Sequence, residues 1–140
     1  MLRVRDIDTG TMIDGVTPTW QGQPLTGVMY DLHLDGWLLS EIEYVDGLQE
    51  GTSRDYYPSG QVRSEGMYRG NNADGPEREW FENGHLRREA MLDSAHIVSE
   101  KVWDEAGTLV RNYIMTEDDP LYPRLQQFRA YRRRRAEPGP

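Results

Sequence analysis

The apolar and aromatic residues of this chain recur in a 24-residue frame that is set by glycine rather than by helical spacing. Gly36, Gly60 and Gly84 stand 24 residues apart, and Gly107 follows after 23. Four residues before these glycines come Leu32, Tyr56, Trp80 and Trp103; two residues after them come Leu38, Val62, Leu86 and Leu109. Glu41, Glu65 and Glu89 follow at five residues, with Asn112 in the last unit, and Tyr44, Tyr68, Leu92 and Met115 at eight. A second set, Gly27, Gly51 and Gly75, runs nine residues ahead of the first. Self-similarity of this period marks a repeat array, in which each unit completes its packing only against its neighbours.

Each unit predicts two short strands around a tight turn. Pro58 suits the first central position of a type I turn, and Gly60 the left-handed position that follows. Loop length then decides which side chains face each other. A two-residue loop sets Trp80 against Arg87 and Tyr56 against Arg63. A three-residue loop sets Trp80 against Leu86, Tyr56 against Val62, Leu32 against Leu38 and Trp103 against Leu109. The second register makes one face consistently apolar and is the one expected. It also places Asp55 across from Arg63 and Glu79 across from Arg87, as structural cross-strand pairs.

The expected fold is therefore mainly β: an elongated antiparallel sheet of consecutive β-hairpin repeats over residues 22–115. An N-terminal cap segment covers 1–21, and the N-terminal end carries a degenerate half-unit in which Trp20, Gly22 and Gly27 echo Tyr44, Gly47 and Gly51. A C-terminal helix and basic tail occupy 116–140. Pro123 suits the first turn of that helix, expected over 123–134, and Leu125, Phe128 and Tyr131 give it one apolar stripe. Arg132 to Arg135 and the closing residues 137–140 are expected in solvent.

Charge sharpens the picture of a partner. The 140 residues carry 24 acids and 16 bases, a net −8. Residues 120–140 hold six arginines and one glutamate, which leaves ten bases and 23 acids, a net −13, in residues 1–119. Such a field repels nucleic acid and anionic membranes and suits a basic protein. The chain has no cysteine, which excludes disulfides and thiolate metal sites. No run of 18 apolar residues and no apolar leader is present, so a soluble cytoplasmic protein without a membrane span is expected.

The chemistry-bearing residues do not assemble a reaction centre. Glu41, Glu65 and Glu89 recur at equivalent repeat positions, and equivalent environments do not split the pKa values of two carboxylates into an acid and a base. His33, His85 and His96 lack a metal-ligand spacing. No nucleophile elbow or glycine-rich phosphate loop occurs. The chain is expected to have no catalytic residues, no cofactor and no metal. Alternation places His33, Tyr57 and Phe81, with Trp37, on the polar face of the sheet beside Glu41, Glu65 and Glu89. These seven residues form the candidate partner-binding set, because aromatic anchors flanked by acids suit capture of a basic protein surface.

The segments GTSRDYYPSGQVRSEGMYRG and GPEREWFENGHLRREAML resemble the variant MORN repeat, which makes up the YwqK-type antitoxins and immunity proteins of bacterial toxin systems. The resemblance covers about residues 22–115. Leu92 stands where the repeat has tyrosine and Asn112 where it has glutamate, and the basic helix lies outside the pattern. It implies a hairpin-repeat fold and a non-catalytic immunity protein that binds and neutralises a toxin, here a basic one. A structural adaptor, docking through Arg132 to Arg135 onto an anionic partner, is the alternative.

Overall fold

The structure, a computed structural model, describes residues 1–136. The N-terminal segment contributes β1 (Arg3–Arg5), a short 3-10 turn (Asp6–Asp8), β2 (Gly10–Thr11), β3 (Pro18–Trp20) and β4 (Gln23–Pro24). The array follows as β5 (Gly27–Leu32), β6 (Leu38–Val45), β7 (Leu48–Tyr56), β8 (Val62–Arg69), β9 (Asn72–Ala73), β10 (Gly75–Trp80), β11 (Leu86–Asp93), β12 (His96–Trp103) and β13 (Leu109–Ile114). Helix α1 (Tyr122–Ala136) closes the described chain. The long strands pair with their sequence neighbours in one large sheet, β8 joins β10 directly, and every pairing is antiparallel except that of β1 with β5. Strands β2 to β4 form a separate small sheet. Trp20, of the degenerate half-unit, lies in β3 of this small sheet.

Local chemistry explains the hairpins. Gly60 N–H donates to the Tyr57 carbonyl at 2.9 Å and Tyr57 N–H to the Gln61 carbonyl at 2.8 Å, a type I turn closed by a glycine at φ +90°. The turns ending at Gly36, Gly84 and Gly107 repeat this pattern. The expected facing pairs follow: Leu32 with Leu38, Tyr56 with Val62, Trp80 with Leu86, and Trp103 with Leu109. The return turns use two residues with positive φ, as at Asp46-Gly47 and Gly70-Asn71. These turns also staple successive units: Gly47 N–H donates to the Leu25 carbonyl, Asn71 to Gln49 and Ala95 to Ala73, at 2.7, 3.0 and 2.8 Å. These return-turn N–H groups are therefore satisfied by the unit before their own.

One residue past each facing pair the register shifts, as at a β-bulge. This corrects the charge pairs. Asp55 lies across from Ser64, which donates to it at 2.9 Å, and Glu79 lies across from Arg88. Arg63 and Arg87 are the surplus residues of the shift and face neither acid. A single inserted residue reverses the alternation beyond it. Glu41, Glu65 and Glu89 consequently share a face with Tyr56 and Trp80, not the opposite, polar one.

That shared face is open along the array. On the other face, Val4, Leu25 and Tyr44 form a buried cluster against Trp20, Met29 and Ile42, covered by the small sheet. At the far end of the sheet Ala90, Leu92 and, from α1, Leu125 are buried. The apolar ladder itself is only half-buried, and Leu109 is 46% exposed, because among the described residues no second layer closes over it. Trp80→Ala should therefore cost about 2 kcal/mol in a urea titration, less than the roughly 3–5 kcal/mol of a fully buried aromatic.

Helix α1 runs two residues further than expected, to Ala136, and is held by charge as much as by its stripe. Arg129 Nε donates to Asp93 Oδ2 at 2.8 Å. Arg132 donates to Ser94 Oγ at 2.9 Å, Asp74 Oδ2 at 3.2 Å and Asp93 Oδ1 at 3.3 Å. Arg132 is thus part of the dock rather than of a solvated tail; residues 137–140 lie outside the described residues. Burial would push the Asp93 carboxyl up, but hydrogen bonds from Arg129 and Ser94, with the charges of Arg129 and Arg132, hold it below its ordinary 3.8. A depressed carboxylate stabilises the fold above its unfolded value and loses that contribution as pH falls through the folded one. Arg132→Ala should lower stability by about 1 kcal/mol at pH 7, after allowance for solvent screening. Thermal melts should show that deficit vanishing at pH values well below 3.8, where Asp93 is protonated.

Candidate functional site

The seven candidate residues separate into two groups. His33, Trp37, Tyr57 and Phe81 lie in the hairpin turns, along one rim of the sheet. His33 and Trp37 close their turn and stack with ring centroids 4.7 Å apart. Tyr57 reaches the next unit, its hydroxyl donating to the Trp80 carbonyl at 2.7 Å. The Arg87 guanidinium sits 5.6 Å from the centre of the Phe81 ring. Sequence spacing alone explains why these rings come together: the 24-residue period puts equivalent turns one above another across the sheet. Acids crown the same rim: Asp35, just before Gly36 and 81% exposed in its side chain, and Glu82 and Glu105, each two residues before its turn glycine.

The three glutamates belong to a different feature, set inside the strands. Across the open face Glu41, Arg54, Glu65, Arg78, Glu89 and Lys101 stand directly opposite one another in turn. Arg54 Nε lies 2.7 Å from Glu65, Arg78 Nε 3.0 Å from Glu89, and Arg3 Nη2 3.0 Å from Glu41. None of the three acids is free to meet a basic partner without first leaving its own arginine. Between this ladder and the far end of the sheet lies a shallow groove of about 330 Å³, lined on the open face by Pro76, Arg78, Glu89, Met91, Lys101 and Ile114.

A second charged cluster, on the opposite face, escapes sequence reasoning. Arg88, with 15% side-chain exposure, lies 2.6 Å from Glu77, 2.6 Å from Glu100 and 3.6 Å from Glu79. Arg111 completes it at 2.5 Å from Glu100. Hydrogen bonds from Arg88 and Arg111 outweigh burial and hold the Glu100 carboxyl below the usual carboxylate range. The one signal for it in the sequence is the doubled arginine Arg87-Arg88, of which the register shift selects the second. These groups are mutually satisfied, and the cluster joins the four strands β10 to β13.

Together these features make a single-layer sheet of hairpin repeats with an acidic, aromatic rim and one uncovered face. The family model for the MORN repeat variant matches residues 49–69 and 73–92, each match running from one return turn to the next. The chain belongs to the variant MORN-repeat proteins of the YwqK type. It is 49% identical over 108 residues to the Immunity protein YwqK of Bacillus subtilis (strain 168), across 77% of this chain and 70% of that protein. A solved structure, that of TarM, superposes with a TM-score of 0.42 at 7% identity, over 76% of this chain and 19% of that one. Among the described residues no helix is long and apolar enough to cross a membrane.

Proposed function

We propose that this chain is an immunity protein of the cytoplasm that binds a protein toxin, covers it and performs no chemistry. The observation that carries the reading is the 49% identity to a protein named for immunity, over most of both chains. The fold supports it by what it presents. The rim rings of His33, Trp37, Tyr57 and Phe81 supply apolar contact area on a rigid sheet edge, and Asp35, Glu82 and Glu105 surround them with negative charge. Glu41, Glu65 and Glu89, the acids that might suggest acid/base chemistry, are each committed to an arginine.

The partner this surface fits is basic. An excess of 13 negative charges over residues 1–119 draws a cationic protein inward and raises its association rate above the neutral value of roughly 10⁵–10⁶ M⁻¹s⁻¹. The product of the gene adjoining this one is the partner to test. Its association with this chain should slow steeply as salt rises, while dissociation changes little. A rate indifferent to salt would show that the rim does not steer the encounter and that the toxin is not basic. No association at any salt would leave the adaptor reading, with the Arg133 to Arg135 end of α1 as its contact.

A further inference from the structure

The open face carries a pattern that the rim does not explain. Its middle row reads Glu41, Arg54, Glu65, Arg78, Glu89, Lys101, strictly alternating in sign over six neighbouring strands. An alternating row with an even number of members is its own complement when reversed. The row is also close to neutral, so it lacks the net field that would draw in a strongly charged partner. We propose that the open face recognises a second copy of this chain, docked face to face about a two-fold axis that runs along the strands between β8 and β10. This inference does not rest on the immunity reading.

That rotation sets Glu65 against the partner's Arg78, Arg54 against the partner's Glu89 and Glu41 against the partner's Lys101, each pair occurring twice. The flanking row reverses onto itself as well, so that Tyr56 meets the partner's Leu86 and Val62 the partner's Trp80. Half-buried rings that no layer covers in one chain are then enclosed by two. Sliding either copy by one strand puts every charge on a like charge, so the row fixes register as well as partner. Six strands and three rows of side chains amount to at most roughly 600 Å² per copy, no more than the low end of specific interfaces, and the dimer should depend on concentration. Twist of about 20–25° between neighbouring strands lifts the outer strands apart, so the two central pairs carry the recognition. Arg54–Glu65 and Arg78–Glu89 are already paired within each chain at 2.7 and 3.0 Å, so docking stacks each of these pairs on the partner's other pair with signs reversed. At the outer end Arg3 holds Glu41 at 3.0 Å and weakens the third pair.

The geometry makes a test in which folding defects cancel. In Arg54→Glu the new acid meets the partner's Glu89, and in Glu89→Arg the new base meets the partner's Arg54. Each variant alone should dimerise at least about tenfold more weakly than the wild type in sedimentation velocity. Mixed in equal amounts, the two should recover the dimer, because both cross-pairs are again opposite in sign. Recovery on mixing cannot come from a change within either chain. A wild type that stays monomeric at roughly 100 µM, or variants whose mixture is no more dimeric than either component, would overturn the proposal. Loss of toxin binding by Arg54→Glu and Glu89→Arg, with a monomeric wild type, would assign the face to the toxin instead.

Discussion

Leu25→Ala should destabilise the fold by about 2–5 kcal/mol, the range for deleting a fully buried leucine, in a urea titration followed by tryptophan fluorescence. Leu25 is 0% exposed and sits with Val4 and Tyr44 where the small N-terminal sheet closes onto the array. Its carbonyl also accepts the Gly47 N–H at 2.7 Å, so the side chain and the backbone staple act at one place. Leu32→Ala, on the open face, removes the same atoms from a half-buried site and should cost less than half as much. Equal losses would mean that the open ladder, and not the covered end, is the core.

Arg88→Ala should cost about 2–3 kcal/mol, since it leaves Glu77 and Glu79, each a third or more exposed, without a cation and Glu100 with Arg111 alone. Three carboxylates, Glu77, Glu79 and Glu100, approach Arg88 within 3.6 Å, and Glu100 is only 11% exposed in its side chain. The loss should shrink in acid. Glu100 is held below its ordinary 4.5, so its contribution is whole above that value and disappears as pH falls through the lower, folded one. Melting temperatures of the wild type and of Arg88→Ala should therefore converge as pH drops from 7 to well below 4.5. Arg87→Ala, one residue away in the register shift, should change stability far less.

That contrast also shows what the sequence can and cannot reveal. Glycine spacing and the choice of a three-residue turn recover the facing pairs from Leu32 with Leu38 to Trp103 with Leu109, because turn geometry is local. The register shift one residue further is not local. It depends on how the strand beyond the turn meets its neighbour, and it moves Glu41, Glu65 and Glu89 to the other face and exchanges Arg87 for Arg88. The rim rings were legible as a group, since His33, Tyr57 and Phe81 follow the repeat period. The partners of the acids were not, because Arg54 and Arg78 stand outside the frame that the glycines define. Arg132 was misplaced for a similar reason: its partners Asp74 and Asp93 are distant in sequence, and only docking of the helix brings them near.

The most direct test of the immunity reading is growth. The product of the adjoining gene is expressed alone, with this chain, and with a Trp37→Ala, Tyr57→Ala, Phe81→Ala variant whose melting temperature stays close to that of the wild type. The account predicts arrest by the adjoining product alone, growth restored by the wild type with the two proteins co-purifying, and no rescue or complex with the rim variant. Toxicity that persists beside the wild type with no complex formed, or rescue undiminished by loss of the three rings, would contradict it.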